Sequence, residues 1–206
     1  MRIVLASASP RRRELIKKIT EDYETVPAKI DEAEIERSVI SCADTADQTV
    51  IGEMVVLELA REKAVSTFMV LGEPQDALVI GADTVVCLKD EILGKPKDRE
   101  DAVRMLRAQS LEPQTVITGV AIVCKDEVAS FSEKTLVFFH PLDEEQEKRI
   151  QEYCDTDEPY DKAGGYGIQL GGASLVDHYE EDFDNVVGFP TERIRIEVER
   201  IEHLYR

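Results

Sequence analysis

The sequence is short of positive charge, and this shortage excludes whole classes of partner. It has 25 lysines and arginines against 43 aspartates and glutamates, giving a formal net charge of −18 over 206 residues. A nucleic-acid backbone or an anionic membrane needs a basic protein surface to bind it. We therefore expect neither a nucleic-acid polymer nor a membrane as partner. A small anion remains possible wherever positive charge is concentrated locally.

Cysteine and histidine are scarce and scattered. The four cysteines include no CxxC pair, and none of the three histidines stands close enough in sequence to complete a zinc motif. Scattered cysteines favour reduced thiols in a cytoplasmic protein. The apolar start of the chain is too short for a signal peptide, and no apolar run approaches the length of a membrane span.

The sequence does contain an alternation of strand-like and helix-like segments. Apolar runs predict strands over residues 2–6, 23–28, 77–82 continued by 85–88, 115–124 and 132–139, with another after a glycine-rich loop at 161–176. Helical patterns cover residues 44–70 and 143–154, and further helices are predicted to begin after Ser9, after Asp98 and near Pro190. Residues 31–36 are predicted to form a loop or a frayed helix start. The consecutive strands in the middle predict an α/β fold with a mixed sheet and flanking helices. Residues 1–206 show no linker or repeat, so we expect a single domain.

The stretch SASPRRR, residues 7–13, concentrates positive charge locally. Ser9 as N-cap and Pro10 at the first helical position predict a helix start, whose unpaired N–H groups favour an anion. Ser7, Ser9, Arg11 and Arg12 would surround such an anion, and the arginine fork suits phosphate. The arginines could instead solvate the first turn of a surface helix, but three cations there oppose the helix dipole. The stretch therefore favours a phosphate site.

Acidic side chains stand near two of the predicted strands. Asp83 follows the apolar run ALVIGA and is predicted to lie at the end of a buried strand, where ligands bind in open α/β sheets. It could hold a metal, act as a base, or only close an Asx turn. Asp31 and Glu32 follow the second predicted strand and are either divalent-metal ligands or solvated charge.

Two loops carry further candidates for binding an anionic ligand. Lys95 stands between Gly94 and Pro96, as a phosphate contact or as a solvated loop residue. The stretch DKAGGYGIQ combines Lys162 with glycines, which let a ligand approach the backbone closely. Gln169 closes this stretch, and its amide has the donors and the acceptor needed to pair with a base.

Together these stretches resemble the Maf family of nucleoside triphosphate pyrophosphatases. The motifs that carry the resemblance occur in the family's order from residue 5 to residue 190: SASPRRREL, DE, AREKA, GADTVV, LGKPKDREDAVRML, TGVAIV, DKAGGYGIQ and NVVGFP. The resemblance implies a house-cleaning enzyme that forms a homodimer and hydrolyses the α–β bond of a nucleoside triphosphate, normal or modified, with Mg²⁺ or Mn²⁺, giving the monophosphate and pyrophosphate. It implies an elongated α/β fold with two lobes around a central cleft, similar to that of inosine triphosphate pyrophosphatases. Because the family is also associated with septum formation, a non-catalytic nucleotide-binding regulator of cell division is the alternative.

The resemblance assigns roles to individual positions. Asp83 matches the family's proposed proton acceptor, and Glu32 matches a metal or water contact. Arg11, Thr84 and Gln169 match positions tied to a preference for dTTP and UTP. The basic residues that line the family's cleft match Arg12, Lys63, Lys95 and Lys162. Residues 109–120, QSLEPQTVITGV, depart from the pattern, because Leu111 follows Ser110 and Gln114 stands near the usual histidine.

Overall fold

The computed structural model describes residues 1–205, which form a central seven-stranded mixed sheet. Its strands are β1 (Arg2–Leu5), β2 (Tyr23–Thr25), β3 (Ala77–Cys87), β4 (Ile92–Leu93), β5 (Gln114–Val123), β6 (Val128–Phe139) and β7 (Val176–Glu180). The order across the sheet is β2-β1-β3-β5-β6-β7, and β4 pairs with β3 off this path. Strand β1 is parallel to both of its neighbours, whereas the pairs from β3 to β7 are antiparallel.

Helices flank this sheet, so the prediction of a mixed α/β fold is confirmed. They are α1 (Pro10–Ile16), α2 (Glu32–Cys42), α3 (Gln48–Val70), α4 (Arg99–Gln109), α5 (Glu144–Cys154), α6 (Phe183–Val187) and α7 (Thr191–Leu204). Ser9, Asp98 and Asp143 stand where three of these helices are predicted to begin, and their side chains accept hydrogen bonds from backbone N–H groups of the first turn. In residues 1–205 we find no helix with the length and apolar character needed to span a membrane.

The predicted strand end at Asp83 is wrong. Strand β3 continues through Asp83 and Thr84 to Cys87, because β5 supplies backbone partners on this side and pairs Gly119 with Asp83. The parallel neighbour β1, however, pairs with β3 only as far as Leu5 opposite Ile80. Asp83 therefore lies just beyond the carboxyl end of β1, which is a place where ligands bind in open α/β sheets.

An acidic segment and a glycine-rich segment contain more regular secondary structure than the sequence predicts. Residues 32–42 form the full helix α2, because the Asp31 carboxylate caps it by accepting the Glu34 N–H at 3.0 Å. The glycine-rich segment contains short 3-10 turns over Pro159–Asp161, Ala163–Gly165 and Gly171–Leu175 before β7 begins. It remains a connection that leads into a strand, as its composition predicts.

Helix α3 lies unusually close to the sheet because glycines face it. A Cβ atom at Gly81 would stand 2.3 Å from the Ala60 carbonyl oxygen, and one at Gly119 would stand 2.4 Å from that of Val56. Neither distance leaves room for a side chain, so the helix backbone rests directly on β3 and β5. The larger apolar core lies on the opposite face, where α1, α4, α5 and α7 contribute buried side chains.

Candidate active site

Lys63 lies at the centre of an acidic pair. The close approach of α3 to β3 brings its ammonium to 2.6 Å from the Asp83 carboxylate. The Glu32 carboxylate, at the start of α2, lies 2.8 Å from the same nitrogen. Lys63 is 8% exposed, and burying an ammonium is stable only when opposite charge meets it. Two carboxylates from separate elements therefore converge on one cationic position.

The basic side chains of the site act on the Glu32 carboxyl. Burial raises the pKa of Glu32, but the hydrogen bond and charge of Lys63, followed by the charges of Lys95 and Arg12, outweigh burial and hold this pKa below its ordinary value of 4.5. Glu32 is therefore an anion at neutral pH. Burial lowers the pKa of Arg12, while Asp83 and Glu32 oppose that shift.

Arg12 is fixed on two sides by neutral acceptors. Its Nε donates to the carbonyl oxygen of Gly188 at 2.8 Å, and Nη2 donates to the Thr84 hydroxyl oxygen at 3.0 Å. Gly188 follows α6 with φ of +108°, and a Cβ atom there would stand 3.1 Å from the Thr84 hydroxyl oxygen. These two bonds orient the guanidinium and leave its other N–H donors for a ligand.

A second basic pair is joined through a carboxylate that the sequence analysis did not single out. Asp161 lies 2.5 Å from the Lys162 ammonium and 3.7 Å from the Arg11 guanidinium. Burial raises the pKa of Asp161, but Lys162 and then Arg11 outweigh it and lower this pKa below its ordinary value. The Lys162 ammonium also donates to the Glu158 carbonyl oxygen at 2.5 Å, and Lys162 is 7% exposed.

The loops that carry Lys95 and Lys162 are held to each other. The Gly164 N–H donates to the Gly94 carbonyl oxygen at 3.0 Å, next to the exposed Lys95. Gln109, buried in α4, donates to the Gly164 carbonyl oxygen at 2.7 Å. The two loops are thus joined by a hydrogen bond, with Lys95 exposed and Lys162 buried.

The remaining predicted site residues make only local hydrogen bonds or none. The Ser7 hydroxyl accepts the Ser9 N–H at 3.2 Å, and the Ser9 hydroxyl caps α1 by accepting the Arg12 N–H at 3.5 Å. Gln169 is exposed and makes no side-chain hydrogen bond to any residue of the described chain. Within residues 1–205, no group of three or more His, Cys, Asp and Glu side chains is arranged to hold a metal ion by itself.

The structure therefore assembles most of the predicted set and adds residues to it. Glu32, Lys63, Asp83, Thr84 and Arg12 form one cluster with Lys95 near it, and Asp161 connects Arg11 to Lys162. Sequence reasoning missed Asp161 and Gly188. It also missed Thr118, whose hydroxyl oxygen lies 2.9 Å from that of Thr84, and Asn185, whose carbonyl oxygen accepts from Thr118. Gly188 lies in the NVVGFP motif and Asp161 directly precedes Lys162, so the sequence motifs could have pointed to both residues. The contact of Thr118 with Thr84 depends on strand register, which the motifs do not give.

Comparison with known proteins gives consistent matches over nearly the full length. The model of the family described as "Maf-like protein" matches residues 2–201. The dTTP/UTP pyrophosphatase of Thermosipho africanus is 45% identical over 194 residues, covering 94% of this chain and 90% of that protein. The dTTP/UTP pyrophosphatase of Bacillus velezensis is 43% identical over 189 residues, covering 92% and 90%. A solved structure of the Staphylococcus aureus Ham1 protein aligns with 98% of this chain and 97% of that chain, at 13% identity and a TM-score of 0.42.

Proposed function

The chain belongs to the Maf-like protein family, and from this membership we propose that it hydrolyses dTTP and UTP to the monophosphate and pyrophosphate. Relatives named dTTP/UTP pyrophosphatase share 38–45% of their residues with it. The observation that carries the proposal is the position of Asp83, which lies beside Lys63, Glu32 and Arg12 at the carboxyl end of β1. A carboxylate surrounded by phosphate-binding cations suits attack by water on a polyphosphate.

A divalent cation fits the residues present. The Glu32 and Asp83 carboxylates lie close together because both contact the Lys63 ammonium, and hard oxygen ligands of this kind would bind Mg²⁺ or Mn²⁺ together with phosphate oxygens. A bound cation would neutralise charge on the triphosphate. Lys63 and Arg12 would hold the phosphate oxygens, and Arg11, Lys95 and Lys162 would extend this basic surface.

Asp83 is the proposed general base of the reaction. It would accept a proton from the attacking water while the α–β anhydride bond breaks and pyrophosphate leaves. Lys63 holds the Asp83 carboxylate at 2.6 Å and fixes its orientation. The strand position of Asp83, which pairs with Gly119 of β5, restricts its backbone as well.

Gln169 is the proposed reader of the base. Uracil and thymine present a ring N–H beside a carbonyl, and the Gln169 amide can pair with both at once. Cytosine lacks this N–H, so CTP would lose the hydrogen bond to the amide oxygen of Gln169. Gln169 is exposed without a protein partner, so its amide is available for such a contact.

The first experiment identifies the products and tests Asp83. UTP with Mg²⁺ should yield UMP and pyrophosphate, and Asp83→Asn should lower kcat by roughly 100- to 10,000-fold while the fold is kept. Asp143→Asn is the matched control, because asparagine replaces aspartate well at a helix N-cap, here that of α5. Release of orthophosphate and UDP would contradict the proposed bond, and binding without turnover would favour a non-catalytic regulator of cell division.

The second experiment tests specificity. We expect UTP and dTTP to exceed CTP and GTP in kcat/KM, and Gln169→Ala to reduce the ratio of UTP to CTP. Gln75→Ala, on an exposed loop elsewhere, is the control for loss of a surface glutamine. A ratio that Gln169→Ala leaves unchanged would remove Gln169 as the reader of the base.

We also propose that the enzyme is a cytoplasmic homodimer. The dimer is supported by the family resemblance, and the compartment by the cysteines, all four of which are free thiols with Cys87, Cys124 and Cys154 buried. Light scattering on the purified chain measures the oligomeric state directly.

A further inference from the structure

A ring of hydrogen bonds closes behind Arg12. Its guanidinium donates to Thr84 at 3.0 Å, the Thr84 and Thr118 hydroxyl oxygens lie 2.9 Å apart, and Thr118 donates to the Asn185 carbonyl oxygen at 3.0 Å. The same segment that carries Asn185 ends at Gly188, whose carbonyl accepts the other bond from Arg12 at 2.8 Å. Thr118 and Asn185 are fully buried, so neither can touch a ligand.

The direction of every proton in this ring follows from one carbonyl group. The Asn185 carbonyl can only accept, so Thr118 must donate its single hydroxyl proton there. Thr118 is then left as the acceptor for the Thr84 proton. Thr84, having donated inward, meets Arg12 and any ligand as an acceptor only.

The inner end of the ring is held by the core of the protein. The Asn185 side-chain amide donates to the Val116 carbonyl oxygen at 3.2 Å and to the Thr135 hydroxyl oxygen at 3.0 Å. Thr135 in turn donates to the Asp182 carbonyl oxygen at 3.1 Å. Because these partners lie on β5, β6 and the start of α6, the Asn185 carbonyl cannot turn away without breaking buried bonds.

We propose that Thr118 is a positioning residue for Arg12. By taking the proton of Thr84, it keeps the Thr84 oxygen turned toward the guanidinium as an acceptor. Arg12 is then held by Thr84 and Gly188 on two sides, and its remaining donors are directed at the phosphates of the substrate. The identity of that ligand as a nucleoside triphosphate rests on the proposed function.

A double-mutant cycle tests this role. Thr118→Val keeps the shape and removes the hydroxyl, and Thr118→Ser restores it, each in the wild-type and Arg12→Ala backgrounds. The readout is calorimetric binding of the α,β-methylene analogue of UTP with Mg²⁺, alongside KM and kcat for UTP. We expect Thr118→Val to weaken binding and raise KM by about 10-fold, with Thr118→Ser close to wild type. In the Arg12→Ala background Thr118→Val should cause no further loss.

Three results would overturn the proposal: equal losses from Thr118→Val in both backgrounds, no loss in the wild type, or a Thr118→Ser variant as weak as Thr118→Val. If Thr118→Val fails to fold, Thr118→Ala removes the same hydroxyl and carries the same expectations. A wild type that binds the analogue without releasing pyrophosphate from UTP would remove the proposed enzyme activity, while the binding cycle would still decide the role of Thr118.

Discussion

Lys63 is a buried lysine on a helix that rests against a sheet, and its environment explains why this is tolerated. An unpaired ammonium in such a place would lose its proton or destabilise the fold. Asp83 and Glu32, at 2.6 and 2.8 Å, supply opposite charge from β3 and α2. Because the two carboxylates come from different elements, Lys63 also ties those elements together. A residue of this kind is hard to recognise from sequence, where AREKA resembles any solvated helix turn, and only the family resemblance pointed to it.

The ionisation of Glu32 gives a direct measure of this contact. The pKa of Glu32 lies below 4.5 in the folded protein, so its contribution to stability is present above the unfolded pKa and is lost as pH falls through the folded pKa. We expect Lys63→Met to raise the Glu32 titration midpoint, since burial then acts with less opposing charge. Carbon-detected NMR of the glutamate side chains measures it. Lys17→Met, which removes a lysine paired with Glu14, is the control and should leave Glu32 unchanged. An unaltered midpoint in Lys63→Met would mean that the contact does not exist in solution.

Helix α3 is the element that sets the depth of the site. Gly81 and Gly119 allow its backbone to rest on the sheet, and Lys63 reaches Asp83 because of that approach. The sequence predicted this helix from its pattern, but the glycines gave no sign of their role, since close backbone approach depends on which strand lies opposite. The prediction that Asp83 lies at a strand end failed for a similar reason. A charged residue after an apolar run indicates a strand end, and only the pairing with β5 shows that β3 continues through Asp83 and Thr84.

We expect Gly81→Ala to displace α3 from the sheet. Its Cβ would stand 2.3 Å from the Ala60 carbonyl oxygen and 2.8 Å from the Ala64 nitrogen, both backbone atoms that cannot turn aside. Overpacking of this kind costs about 1–3 kcal/mol, and displacement of Lys63 should lower kcat/KM as well. Thermal unfolding and steady-state rates measure the two effects. Gly94→Ala meets no atom within 4 Å and is the control. Equal melting temperatures for the two variants would contradict the close contact.

At the scale of the whole molecule, the sequence predicted the kinds of secondary-structure element better than the order of the strands in the sheet. Consecutive strands in the middle indicated a mixed sheet, which is observed. The insertion of β1 between β2 and β3 was not predicted, because periodicity describes each segment and says nothing about distant pairing partners. The candidate site depends on the pairing of β1 with β3, since Arg12 follows β1 while Asp83 belongs to β3. Individual motifs therefore identified residues, and the sheet order determined which of them meet.

The strand order of the sheet also affects the order in which its parts fold. Strands β5 and β6 are joined by a short turn and pair along ten residues of each, from Gln114–Val137 to Val123–Val128, so their contacts close small loops. Strand β1 reaches its partner only when Leu5 meets Ile80, across helices α1, α2 and α3. The antiparallel pair of β5 and β6 should form in the transition state, with β1 docking afterwards.

We expect Ile122→Val in β5 to slow refolding and Val4→Ala in β1 mainly to accelerate unfolding, as measured by stopped-flow kinetics in denaturant. Slowed refolding in Val4→Ala of the same size would contradict this order. Arg12 and Asp83 would then meet only in the last docking step, so a newly made chain would acquire its capacity to turn over nucleotides after most of its sheet already exists.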